Sequence, residues 1–307
     1  MTNAAEQTSP GGNKVCAVLV AYFPDVEFST RLRVVLPQVG ALVVIDNTPE
    51  GSASWITLLP DDERARISVI ENRSNLGVAA ALNQGLNHAN QTGCRWLLTL
   101  DQDTQCFPDI VDTLRSIAVS SHPKPAIVGG NYFDAKRDRH DVPVGDGSKC
   151  LDRKTVITSG CLVDTAFALA IGGFREDYFI DQLDHEFCLR ARSKGGRVVV
   201  SRKPVMEHSV GGATGPRVPI LGTMLPDHPP LRKYYITRNT IVTIADFWSQ
   251  EPGWCLRRSA RLLIGLFGMA TIEDHRLAKV LAFILGAKDG IQRRMGPCDR
   301  IRLTQRG

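Results

Sequence analysis

The sequence predicts an α/β fold built on a mostly parallel, doubly wound sheet. Three observations carry this reading. Short apolar runs rich in β-branched residues recur along the N-terminal third. Stretches with helical periodicity separate them, and a polar cluster follows each run.

The elements follow in order. Residues 15–22 (VCAVLVAY) read as a buried strand of a parallel sheet. Phe23-Pro24-Asp25 interrupts it, and Val26 to Leu36 reads as a helix stopped by Pro37. Residues 41–45 (ALVVI) are the second strand, ending at Asp46-Asn47. A short helix over Trp55 to Leu59 leads to a third strand, 67–70 (ISVI), ending at Glu71-Asn72. An Ala-rich helix spans Val78 to Asn90, and the fourth strand, 95–100 (RWLLTL), ends at Asp101. Ligands of open α/β sheets bind beyond the carboxyl ends of the strands, where these polar clusters lie.

The second half is less regular. Helices are expected over Pro108 to Val119, Thr165 to Ile171 and Leu183 to Lys194. Strands are expected over Ala126 to Asn131, Val156 to Val163 and Val198 to Val200. The charged segment 134–153 reads as a surface excursion, and the Gly/Pro-rich segment 211–230 as a loop. Beyond residue 232 the pattern is helical again.

Composition narrows the function classes. The 307 residues are 43% hydrophobic and 22% charged, which supports a sizeable core. A net charge of +5 makes no case for nucleic acid. It suits anionic substrates or an anionic membrane surface. Eight cysteines occur singly, without metal-ligand spacing, and read as free thiols of a reducing, cytoplasmic environment. The segment 1–13 is polar and reads as a disordered tail without signal-peptide character. The longest apolar run, Leu262 to Ala270, falls far short of the ~20 residues that span a bilayer.

Four constellations carry chemistry. Asp101-Gln102-Asp103 directly follows the fourth strand, so two carboxylates on one turn can aim at a hard divalent cation. In isolation such a pair is more often solvated; its place at a strand end favours the ligand role. Asp181, Asp184 and Glu186 lie beside the apolar Tyr178-Phe179-Ile180, a setting that can tune a carboxylate as a general base. His208 sits between a short strand and a Gly-rich loop. Asn72 to Gly77 places amides and an arginine before a helix N-terminus, where phosphate is favoured.

In order along residues 15–240, these features resemble the family 2 inverting glycosyltransferases, in particular their rhamnosyltransferase-like bacterial branch. Asp46-Asn47 resembles the family's DN after the second strand. The stretch from Asn72 and Asn75 through Gly77, Ala79, Ala81, Asn83 and Gly85 resembles its N-x-G-x-A-x-A-x-N-x-G segment. Asp101-Gln102-Asp103 resembles its DxD motif. Ile171 to Phe174, Tyr178 to Asp181 and Asp184 to Phe187 resemble its GGF and FiD-x-x-D-x-E block. Tyr234-Tyr235 with Arg238-Asn239 resembles the YYxxRN motif of that branch.

The resemblance implies a GT-A type nucleotide-diphospho-sugar transferase fold with a Rossmann-like sheet over 14–240, followed by a basic helical extension over 241–307. It implies an inverting hexosyltransferase using dTDP-L-rhamnose and a glycan or lipid-linked acceptor in cell-surface polysaccharide synthesis. Another nucleotide sugar, such as a UDP-hexose or UDP-galactofuranose, is the alternative, and a non-catalytic nucleotide-sugar binding module a further one. Donor contacts fall on Asp46, Asn47, Asn72, Asn75, Gly77, Asp101 and Arg238. Mg²⁺ or Mn²⁺ falls on Asp101, Asp103 and His208. Asp184 is the implied base, with Asp181 and Glu186 as the competing acids. The segment 211–230 is expected to act as a lid over bound donor.

Trp248, Trp254, Leu262, Leu263, Ile264, Leu266 and Phe267 interleave with Arg257, Arg258 and Arg261. This pattern fits either a packing helix or a basic amphipathic helix on a membrane surface. A homo-oligomer stays open. Other nucleotide enzymes fit less well, because no glycine-rich phosphate loop follows the first strand.

Overall fold

The computed structural model describes residues 14–51, 53–135, 138–145, 147–208, 217–218, 223–224 and 228–301. The first apolar run forms β1 (Val15–Ala21), followed by α1 (Phe28–Val35) and a 3₁₀ turn over Leu36–Gln38. Next come β2 (Ala41–Asp46), a 3₁₀ turn over Ala53–Leu58, α2 (Asp61–Arg64), β3 (Ile67–Glu71), α3 (Val78–Gln91) and β4 (Trp96–Asp101). All four expected strands form, and they pair in parallel in the order β3-β2-β1-β4.

The chain continues through β5 (Gln105–Cys106), α4 (Ile110–Ser120), β6 (Ile127–Asp134), β7 (Arg139–His140), β8 (Cys150–Asp152), β9 (Cys161–Asp164), α5 (Thr165–Ala170) and α6 (Leu183–Ser193). It then forms β10 (Val198–Glu207), the short pair β11 (Arg217–Val218) and β12 (Thr223–Met224), and helices α7 (Pro230–Phe247), α8 (Pro252–Thr271) and α9 (Arg276–Ile291). The sheet extends past β4 as β9-β6-β10-β5, with β9 and β5 antiparallel to their neighbours.

Strand alternation splits the core into two layers. Val15, Ala17 and Leu19 pack with α1 and α4 on one face, while Cys16 and Val18 pack with α3, α5 and α6 on the other. The alanines let α3 lie close on β1. A Cβ on Gly85 would come within 2.3 Å of Val18 Cγ2.

Two strand expectations change. Only residues 161–163 of the 156–163 run join β9 (Cys161–Asp164), because Gly160 turns the chain at φ +72° before it. Strand β10 runs seven residues past Val200 through Arg202-Lys203-Pro204. A register shift on either side of Pro204 accommodates its missing N–H.

The C-terminal helices do not form a separate body. Helix α7 runs unbroken through residue 240. Helix α9 crosses it closely: a Cβ on Gly286 would come within 2.5 Å of the Tyr234 carbonyl oxygen. Buried Glu273 accepts from Lys233 at 2.7 Å and Lys279 at 2.9 Å, tying the α8–α9 connection to α7. Trp254, one of the residues expected on the amphipathic face, is instead buried with Leu189 and Phe247. No helix among the described residues is long and apolar enough to cross a membrane. All eight cysteines are free thiols, and burial pushes Cys16 and Cys106 up to about 12.

Candidate functional site

The order of strands reverses between β1 and β4, and the site opens at their carboxyl ends. Register places Asp101 opposite Val20, and Ala21 opposite Asp46, so both acids lie on this edge. The DxD turn is fixed by its middle residue. Gln102 accepts from the Tyr22 N–H at 2.7 Å and donates back to the Tyr22 carbonyl at 3.2 Å. Arg31 donates to the Gln102 carbonyl at 2.7 Å.

Strand β10 brings His208 to the same edge, although it lies more than a hundred residues away in sequence. Its Nε2 is 3.9 Å from Asp101 Oδ2, and its Nδ1 is 4.0 Å from Asp103 Oδ1. One ligand atom from each of the three residues falls within 4.8 Å of the others. Two oxygens bound at about 2.0–2.1 Å to one cation are at most ~4.2 Å apart, so these separations fit a small divalent ion after minor adjustment. The donor set, two carboxylates and an imidazole, suits Mg²⁺ or Mn²⁺. Thr104 supports the set, its hydroxyl lying 3.3 Å from His208 Nδ1 and pairing with Ser159. Desolvation in the cleft pushes the Asp101 carboxyl up to about 6; His208 opposes this, and the nearby Asp103 and Asp184 add to it.

The three acids of the 181–186 segment have different environments. Glu186 is buried and its carboxylate is paired with Arg190 through two contacts of 2.7 and 3.0 Å. Asp181 is gripped by Arg232 at 2.6 and 3.2 Å. Its carboxyl is raised by burial, with Arg232 opposing. Asp184, in the first turn of α6, has no ion pair among the described residues. It is close enough to Asp101 to raise that carboxyl.

The loop that presents these acids is strained. Phe179, Asp181 and Gln182 have φ of 65°, 63° and 64°. Arg238 and Asn239 hold it in place. The Asn239 amide donates to the carbonyls of Tyr178, Ile180 and Asp181 at 2.9–3.0 Å. The Arg238 guanidinium donates to the carbonyls of Tyr178 at 3.1 Å and Gly296 at 2.6 Å, and lies 5.4 and 4.9 Å from the ring centroids of Tyr234 and Tyr235. Arg238 is fully buried, which corrects its expected role as a donor contact: its N–H groups are spent on backbone and on Asn239. Gly77 completes the fit. Its φ is +87°, and a Cβ there would come within 2.6 Å of the Phe179 carbonyl oxygen.

The remaining expected donor contacts also divide. Asp46 is buried; its Oδ1 caps the Thr48 N–H at 2.8 Å, while Oδ2 has no hydrogen-bond partner among the described residues. That orphaned oxygen suits a ligand's hydrogen-bond donor. Asn47 is committed to Gly77 and Asn72, and Asn72 also to Gln84. Asn75 caps the Gly77 N–H at 3.0 Å. The Val78 N–H at the start of α3 is taken by the Phe179 carbonyl at 2.7 Å, so this helix end is only partly open to phosphate. Sequence reasoning missed Arg232, Thr104, Ser159 and Arg258. Arg258 of α8 stacks over Trp254 and meets the ring of His185, beside Asp184. Most of the expected lid, 211–230, lies outside the described residues.

Comparisons with known proteins bear on the fold that carries this site. The model of glycosyl transferase family 2 matches residues 37–155. The dTDP-rhamnosyl transferase RfbF of Shigella flexneri is 25% identical over 246 residues, covering 76% of this chain and 80% of that protein. Among solved structures, S. aureus TarS superimposes with a TM-score of 0.60 at 16% identity over 94% of this chain. A TarS 1–349 complex with UDP-GlcNAc gives 0.58 at 14%, covering 91% of this chain and 81% of that one. GalNAc-T7 with UDP, GalNAc and Mn²⁺ gives 0.57 at 12%, over 91% of this chain and 56% of that one. The chain spans half the length of the first TarS structure. The fold is therefore GT-A-like, with a C-terminal helical extension, and the matches support an enzyme of the glycosyltransferase class.

Two predictions follow from the loop. Asn239→Ala leaves loop carbonyls without their donor and should cost about 1–3 kcal/mol in urea denaturation. Mn²⁺ affinity should be unchanged, because Asp101, Asp103 and His208 are carried by β4 and β10; a parallel loss of metal would show that the loop and the metal set are one unit. His185 is held down to about 4, chiefly by burial. The unfolded state then binds the extra proton, so stability should fall as pH drops from about 6.5 towards 4, by up to ~1.4 kcal/mol per unit. Asp101 and Asp181, raised in the fold, act in the opposite sense. The contribution is therefore read as the pH-dependent part of the difference between wild type and His185→Gln, which should become constant above pH 7.

Proposed function

We propose that this chain transfers a sugar from a nucleotide-diphosphate donor to a hydroxyl of a glycan or lipid-linked acceptor, inverting the anomeric carbon. The observation that carries the reading is the placement of Asp101, Asp103 and His208 at the switch point of the sheet, next to a carboxylate, Asp184, that has no ion-pair partner among the described residues. The unpartnered Asp46 Oδ2 on the same edge offers a hydrogen-bond acceptor to the nucleotide.

Roles follow from environment. A divalent cation held by Asp101, Asp103 and His208 would supply positive charge against the departing diphosphate. Arg232 lies near enough to Asp101 and Asp103 for both to stabilise its charge, so it adds a second cation to that side of the cleft. Asp184 accepts the acceptor hydroxyl's proton as its oxygen attacks the anomeric carbon. Asp181 holds Arg232 in position, and Glu186 anchors α6 through Arg190.

Two donors have support from separate observations. The sequence relative RfbF favours dTDP-L-rhamnose. The likeness to TarS with UDP-GlcNAc and to GalNAc-T7 with UDP favours a UDP-linked N-acetylhexosamine. Calorimetry with a panel of nucleotide sugars, with and without Mn²⁺, separates them. Binding of one donor should require metal and fall on the order of tenfold or more in Asp103→Ala. Asp184→Asn should keep binding and lose transfer by roughly a hundredfold or more. If no nucleotide sugar binds with or without metal, the proposal fails.

A further inference from the structure

Helices α8 and α9 each bury one face and leave an apolar band on the opposite face. On α8 the buried side carries Trp254, Cys255 and Met269, and the exposed band carries Leu256, Leu263 and Phe267 at 64–66% exposure. Spacings of seven and four residues put these three on one stripe, with the small exposed residue Ala260 within it and Ala270 just past it. On α9 the buried side faces α7, and the opposite band carries Leu277, Leu281, Ile284 and Ile291 at 55–76% exposure. These seven residues are nearly half of the fifteen large exposed hydrophobics of the described chain, in 36 consecutive positions. Scattered single hydrophobics need no explanation; two bands on successive helices do.

Charge indicates what covers them. Residues 252–294 contain eight Lys/Arg and three Asp/Glu, a net +5 that equals the formal charge of the whole chain. Arg257, Arg261, Arg276, Lys288, Arg293 and Arg294 are exposed, against the single exposed acid Asp274. A second copy docked symmetrically would set these cations against themselves. An anionic lipid surface satisfies both features: its acyl boundary takes the apolar bands and its headgroups take the cations. Helix α8 is too charged to span, carrying Arg257, Arg258 and Arg261.

We propose that the exposed faces of α8 and α9 bind the surface of an anionic membrane, lying in the interface without crossing it. The same α8 carries Arg258 to His185 beside Asp184, so the membrane face and the acid side of the cleft share one rigid element. Such docking would hold the cleft near acceptors embedded in that surface.

The test is flotation of the full chain with phosphatidylglycerol–phosphatidylcholine vesicles and with phosphatidylcholine alone. It needs no sugar transfer, so its failure leaves the proposed activity standing. The wild type should float with the anionic vesicles, only weakly with neutral ones, and less at high salt. Leu263→Ser/Phe267→Ser keeps the charge and should reduce the bound fraction on the order of tenfold or more. Leu277→Ser/Leu281→Ser tests α9 separately. All four positions are exposed, so unfolding curves should stay near wild type. Three results would overturn the proposal: no binding to anionic vesicles, binding unchanged in both double variants, or a wild-type dimer by light scattering that the variants abolish.

Discussion

The acid-bearing half of the site depends on one buried contact, the grip of Arg238 and Asn239 on the loop from Asp177 to Asp181. Burying a guanidinium without a carboxylate partner costs free energy unless its donors are satisfied. Here backbone carbonyls, the Asn239 side chain and two tyrosine rings satisfy it. The amide of Asn239 has two hydrogens and faces three carbonyls, so at least one bond is shared. This converges carbonyls that an ordinary turn would disperse. Left-handed backbone at three non-glycine positions, Phe179, Asp181 and Gln182, is the geometric consequence. From that loop Asp181 reaches Arg232, and α6 starts with Asp184 facing the sheet edge.

The other half of the site has a different origin. Asp101 and Asp103 emerge from β4, and His208 from β10, so their spacing is set by ladder register rather than by a loop. Gln102 and Arg31 lock the DxD turn to the end of β1, and Thr104 and Ser159 support the imidazole. The strained loop and the strand-borne cation set are thus built independently and meet only in the cleft. Gly77 seats the loop against the start of α3, at a distance no side chain allows.

The sequence made the parallel half of the sheet legible because buried parallel strands are continuous apolar runs, and β1 to β4 are such runs. It failed where local signals pointed the wrong way. Arg202-Lys203-Pro204 looks like a strand end, yet β10 continues through it with shifted register. Val156 and Ile157 look like strand, yet they pack into the two core layers ahead of Gly160 without joining the ladder. The candidate metal set was readable as types and order, and the structure brings Asp101, Asp103 and His208 together. The direction of a side chain was not. Arg238 and Glu186 carry the charge expected of ligand contacts, but one points into the loop and the other at Arg190. Arg232 and Arg258 were invisible as site residues because nothing in their neighbourhoods links them to acids fifty or more residues away.

Two separately built halves converging on one cleft is the central claim. It is tested most directly by a crystal structure with Mn²⁺ and the nucleoside diphosphate of whichever donor binds, using the manganese anomalous signal. The account predicts a single strong peak among Asp101, Asp103 and His208, with the diphosphate between it and Arg232 and the nucleoside towards Asp46. A peak elsewhere, or a nucleotide seated away from the carboxyl ends of β1 and β4, would contradict it.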